Sequence, residues 1–212
     1  MPAMILRLRR AAPLTALLIA LFAASVVVVT SGGFSSIDRS VRDVIEAHHD
    51  HAIDIVASML ALTASGVASA TYVVVIAVIL AVRRPGSRPA VLALLGGLAV
   101  VQGAEVVLKV VIDHPGPGIS RALTFTVGGG PETSGSFPSG HMTRAVTLAI
   151  GSALLVAARA SRRRLLLVAL AYVALIAATR VYLNEHWTSD VVGGVLLGLV
   201  AIPAVAVLAE RS

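Results

Sequence analysis

Two histidines, His141 and His186, stand within or beside apolar stretches of a 212-residue chain, together with Asp190, Lys109 and Arg180. His186 and Asp190 are four residues apart, which stacks them on one face of a helix. An aspartate one turn from an imidazole accepts its Nδ1 proton and leaves Nε2 free as a nucleophile. The plainer reading of Asp190 is a favourable acid in the first turn of a helix. Pro138-Ser139-Gly140-His141 has the composition of a small-residue turn opening a helix, where unpaired backbone N–H groups suit an anion. A histidine at that point can protonate a leaving oxygen. Lys109 and Arg180 supply fixed positive charge for a dianionic phosphate. The set points to phosphoryl transfer through a histidine intermediate.

The elements that must position these residues are membrane helices. The chain is 57% hydrophobic and 13% charged, with a mean hydropathy of +0.92, whereas soluble domains run near 45–50% apolar and about 25% charged. A bilayer span needs roughly 20 mostly apolar residues. Six such stretches follow one another, at about 11–30, 67–82, 89–112, 139–158, 165–181 and 191–209. The fold class expected is therefore all-α, a polytopic membrane protein with six transmembrane helices, in a single domain over 1–212. Ala11–Thr30 is longer than the apolar core of a signal peptide and reads as a retained helix. Ser65-Gly66 divides the long apolar run from Ile55 to Val82 into a surface-lying piece and a span. Ser35 to Asp50, with apolar Ile37, Val41, Val44 and Ile45, reads as a short amphipathic helix on the outer surface.

Charge sets the orientation. With the N-terminus cytoplasmic, the inner segments hold Arg7, Arg9, Arg10, Arg83, Arg84, Arg88, Arg159, Arg162, Arg163, Arg164 and Arg211, eleven of seventeen basic residues. That is the side on which arginines concentrate. All six histidines and nine of the eleven acids then fall on the outer side or its helix ends. Glu105, Lys109, His141, Arg144, Arg180, His186 and Asp190, from four helices, gather at one membrane level, and ionisable residues in spans mark function. The long outer loop, Asp113 to Pro138, contains Val127-Gly128-Gly129-Gly130-Pro131 and has turn chemistry. With no cysteine there is neither a disulfide nor a thiolate site. His48-His49-Asp50-His51 looks like a metal cluster, but residues one or two apart do not share a helix face, so a solvated surface is the better reading. Tyr182 and Trp187 suit an aromatic belt.

Three segments carry a family pattern. Pro138-Ser139-Gly140-His141 is followed by Thr179-Arg180, five residues, His186, three residues and Asp190. In these the chain resembles the type 2 phosphatidic acid phosphatase superfamily of membrane lipid phosphatases, related to vanadium haloperoxidases. Its second motif is intact, and its third has Thr179 in place of serine. The first motif, Lys, six residues, then Arg-Pro, is damaged: Lys109 is followed at that distance by Gly116-Pro117. The resemblance implies His186 as nucleophile, Asp190 as its orienting acid and His141 as proton donor. It also implies that Lys109, Ser139, Gly140 and Arg180 hold the phosphoryl oxygens.

The function expected is a lipid phosphate or diphosphate phosphatase, acting on a polyprenyl or glycerolipid substrate through a phosphohistidine. The alternatives are a phosphoryl transferase of the same chemistry and a catalytically weakened lipid-binding protein. No cofactor, metal or nucleic acid is implied, and the partners are the lipid phosphate and membrane lipids. The expected location is a bacterial inner membrane, with the site on the extracytoplasmic side. For the missing motif arginine the candidates are His114, Arg121 and Arg144. Arg121 is the first choice, because the Gly116-Pro117-Gly118 turn lets the loop fold back over the phosphate.

Overall fold

The computed structural model describes residues 2–83, 85–123, 135–156 and 160–210. Residues 124–134 of the outer loop, with its run of three glycines, together with Arg84, Arg159 and Arg211 and the last two positions of the span expected at 139–158, lie outside the described residues. The described residues form α-helices joined by turns, with no strand among them. In chain order these are α1 (Pro2–Thr30), α2 (Ser35–Ala47), α3 (His51–Leu62), α4 (Gly66–Arg83), a 3-10 turn (Pro85–Ser87), α5 (Arg88–Val111), α6 (Gly140–Val156), α7 (Arg162–Tyr182), α8 (Thr188–Val200) and α9 (Ile202–Ala209).

Four helical stretches are long and apolar enough to cross a bilayer: Leu8–Thr30, Arg88–Val111, Arg162–Tyr182 and Thr188–Ala209. The α3–α4 pair, bent by 42°, makes a fifth if it is one broken span. The break falls at Thr63–Ser65, beside the expected divide, where the Ser65 hydroxyl accepts from the Ala68 N–H. The fourth expected span, 139–158, corresponds to α6, a shorter apolar helix of 17 residues. Large apolar side chains face outward along the bundle, among them Leu17, Val27, Val74, Leu92, Val107 and Val168. In water such a surface would be an aggregation liability; in lipid it is the expected exterior. The chain is a multi-pass membrane protein. The amphipathic segment is also present, as α2, with Ile37 and Val44 exposed.

The centre of the bundle is α6, packed against α4, α5, α7, α8 and α9. Twelve of its seventeen residues are buried. Small residues let α8 approach it closely, as in membrane helix pairs generally. A Cβ at Gly194 would stand 2.5 Å from the Ser139 carbonyl oxygen, and one at Gly198 would stand 2.9 Å from that of Thr143. Two hydroxyls cross the same seam: Thr143 Oγ1 donates to the Gly194 carbonyl at 3.4 Å and Thr147 Oγ1 to the Gly198 carbonyl at 3.1 Å. Close contact between α6 and α8 is what brings the second and third motifs together.

Candidate active site

The N-terminal end of α8 is built around Asp190, which is fully buried. Its Oδ2 accepts from the Trp187 N–H at 2.9 Å, the N3 carboxylate reaching back to the start of its helix. The same oxygen lies 3.3 Å from His186 Nδ1. The capping and the dyad readings of Asp190 are therefore both met by one side chain. With Nδ1–H directed at the carboxylate, His186 Nε2 keeps its lone pair. His186 is itself buried, and burial holds its pKa below the ordinary imidazole value. Asp38 of α2 adds a second cap, accepting from the Ser189 N–H at 2.9 Å and from its hydroxyl at 2.7 Å. Asp38 has no spacing signal toward this site; its partner is 151 residues away.

Arg180 reaches the site because the chain reverses between α7 and α8 in a few residues. Asn184 adopts φ 56°, a left-handed conformation that asparagine tolerates better than most residues. Arg180 is buried, and its Nη2 is paired with Glu185. Its Nε and Nη1 have no hydrogen-bond partner among the described residues, and neither does the buried Ser139 hydroxyl. Buried donors of this kind are costly unless a ligand meets them. The Ser139 N–H is not among them: it donates to the Asp190 carbonyl at 3.0 Å, tying the second motif to the third. The expectation that the whole Ser139–Gly140 turn offers unpaired N–H groups is corrected to that extent.

Lys109 is paired with Glu105 at 2.8 Å. A Cβ on Gly140 would lie 2.6 Å from Glu105 Oε1 and 3.2 Å from Arg144 Nη1, so a side chain there would have to displace the carboxylate that pairs with Lys109. His141 feels the charges of Arg180, Arg144 and Lys109 and the His186 imidazole. The structure thus brings His141, His186, Asp190, Lys109, Arg180, Ser139 and Gly140 together.

Arg121 goes elsewhere. Its guanidinium pairs with Glu46 and with the Tyr182 carbonyl, approaches Asp54 at 3.9 Å, and lies over the Tyr182 ring at 5.7 Å. The loop does fold back, but along Leu183–Trp187 instead of over the cluster. The Arg121 N–H donates to Leu183 O (2.8 Å), Asn184 Nδ2 to Ile119 O (3.1 Å) and Trp187 Nε1 to Pro115 O (2.8 Å). Buried Asp54, a carboxylate that needs a cation, draws the arginine away. Asp54 also takes His49 Nε2 at 2.8 Å, while Asp50 caps α3 through the Ala52 and Ile53 N–H groups. Among the described residues, no group of three His, Asp or Glu side chains could hold a metal ion.

A cavity of about 590 Å³ opens between α4, α6 and α7. Its walls are largely apolar, including Ile76, Leu148, Ala169 and Val168, with Tyr72 and Tyr172. Among the described residues the charged one on its wall is Arg144, whose Nε donates to the Ala64 carbonyl at 3.1 Å.

Fold and site define a helical membrane protein with a buried histidine–aspartate pair among cations, the equipment of a phosphoryl-transfer enzyme. Residues 90–212 match the family model of the PAP2 superfamily, and the chain belongs to that superfamily. It is a membrane phosphatase, a hydrolase. Among solved structures it is similar to one titled as the first transmembrane PAP2-type phosphatidylglycerolphosphate phosphatase from Bacillus subtilis. The TM-score is 0.76 at 21% identity, over 90% of this chain and 93% of that one. Comparison with curated proteins finds no match.

Proposed function

We propose that the protein hydrolyses a polyprenyl or glycerolipid phosphate or diphosphate at the extracytoplasmic face of a bacterial inner membrane, through a phosphohistidine on His186. The observation that carries this reading is the pairing of His186 with Asp190 beside the unpartnered donors of Arg180 and Ser139. In the first step His186 Nε2 attacks phosphorus and the P–O bond to the lipid breaks. His141 gives its proton to the departing oxygen. In the second step His141 takes a proton from water, the hydroxide attacks phosphorus, and the N–P bond breaks to release phosphate. Arg180, Lys109 and the Ser139–Gly140 turn hold the phosphoryl oxygens, which carry most charge in the transition state. The apolar cavity that reaches Arg144 suits the hydrocarbon part of an amphiphilic substrate entering from the side.

The test is phosphate release by the purified protein in liposomes carrying phosphatidic acid, phosphatidylglycerophosphate, or a polyprenyl phosphate or diphosphate. His186→Ala should abolish release and accumulate no phosphoenzyme, while His141→Ala should trap phosphoenzyme from a substrate with a good leaving group. Full activity in His186→Ala sinks the mechanism. A phosphoryl group passed to an added alcohol in preference to water identifies a transferase instead.

A further inference from the structure

Asp190 carries two imidazoles. Its Oδ2 faces His186 Nδ1, and its Oδ1 lies 3.3 Å from His114 Nε2. Neither Oδ1 nor His114 Nε2 has a hydrogen-bond partner among the described residues, so each is the other's nearest means of compensation. The His114 ring is held in this position. Its carbonyl accepts from the Ser136 N–H (2.7 Å) and hydroxyl (2.8 Å), and the ring stands edge-on to Phe137 at 6.3 Å. His114 sits two residues before Gly116, where the first motif lacks its arginine.

The charges around the two imidazoles differ. The charged groups acting on His114 are carboxylates, Asp190 from α8 and Asp38 from α2. His186 faces Asp190 as well, but also Arg180 from α7 and Lys109 from α5, with His141 of α6 coupled to it. A proton shared by a carboxylate-bridged pair settles on the member with the more negative surroundings. We infer that His114 is a positioning residue for the nucleophile: it takes the proton and keeps His186 neutral toward low pH. This rests on His186 being the nucleophile. The directions of the two pKa values agree, His114 being raised by its contact with Asp190 and His186 lowered by burial.

The test is the pH dependence of kcat/KM in His114→Gln and His114→Arg, with thermal unfolding to confirm that each variant is folded. Glutamine keeps a donor but carries no charge, so Asp190 acts on His186 alone and the His186 pKa rises. The acid limb should move up by about one pH unit, a tenfold loss below both limbs. Arginine keeps the cation and should leave the limb where it is in the unmodified protein. A residue that only packs would give a loss independent of pH, and an unmoved limb in His114→Gln overturns the inference. If only the arginine variant folds, a limb that rises in it overturns the inference equally. The same shift is readable without turnover, from the His186 imidazole titration by ¹⁵N NMR in micelles, assigned with His186→Asn. An unmodified protein that hydrolyses no lipid phosphate therefore refutes the proposed function, while the NMR titration still decides the role of His114.

Discussion

Replacing Gly194 by alanine tests the seam that assembles the site. The added Cβ would stand 2.5 Å from the Ser139 carbonyl oxygen and 2.7 Å from Met142 Cβ. Carbon atoms in contact prefer about 3.5–4.0 Å, so α6 and α8 must part by about 1 Å. Neither obstacle is a flexible side-chain end that can swing aside. Overpacking of this kind costs about 1–3 kcal/mol. The catalytic effect should be larger, because α6 carries His141 into the site, with Ser139 just before it, and α8 carries Asp190. A misplacement of about 1 Å between reacting groups costs on the order of 100-fold in rate. The assay is phosphate release from lipid phosphate in liposomes, with thermal unfolding in detergent measured on the same preparation. Gly194→Ala should lose about 100-fold in kcat and melt a few degrees lower. Gly103→Ala on α5, where a Cβ meets nothing within 4 Å, should stay close to the unmodified protein. If Gly194→Ala keeps kcat within about threefold, close approach of α6 and α8 does not set the geometry of the site.

Three further outcomes follow from the same structure. Because burial lowers the His186 pKa, the neutral nucleophile should persist to more acid pH than a free imidazole. The acid limb of kcat/KM should then lie below about 6.5, and a limb centred above 7 contradicts the assignment. Among the described residues Gly116 has room for a side chain, the nearest atom to an added Cβ being Ser136 Cβ at 3.9 Å. Gly116→Arg should therefore fold and, by restoring a charge-assisted contact of about 1.5–3 kcal/mol, lower KM or raise kcat about tenfold or more. Equal kinetics would place that position out of reach of the phosphate. Arg121→Ala should act on stability rather than turnover, since it strips a cation from buried Asp54 and from Glu46. Melting should fall by a few degrees with kcat within about threefold, and a steep loss of kcat in a fully stable variant would return Arg121 to the phosphate.

Several features of this protein were legible in the order of its residues. Apolar runs of bilayer length located the helices, because lipid requires backbone hydrogen bonds to be closed within a segment. The spacing of His186 and Asp190, and the turn before His141, pointed to the chemistry, because a helix start is local geometry, although His186 lies in the turn before α8 and not on the helix face that the spacing implied. Contacts between distant segments were decided by the tertiary structure. Asp38 and Ser189 meet across 151 residues, and nothing local pairs them. His114 and Arg121 were both candidates for the same absent charge, on one loop beyond Lys109, and the sequence favoured Arg121. Packing separated them: a buried carboxylate from α3 and a backbone carbonyl at the end of α7 took Arg121, while Asp190 faces His114. A charged side chain goes where buried opposite charge and geometry meet it. That depends on which helices pack together, and here on glycines such as Gly194 and Gly198, whose missing side chains allow two helices to touch.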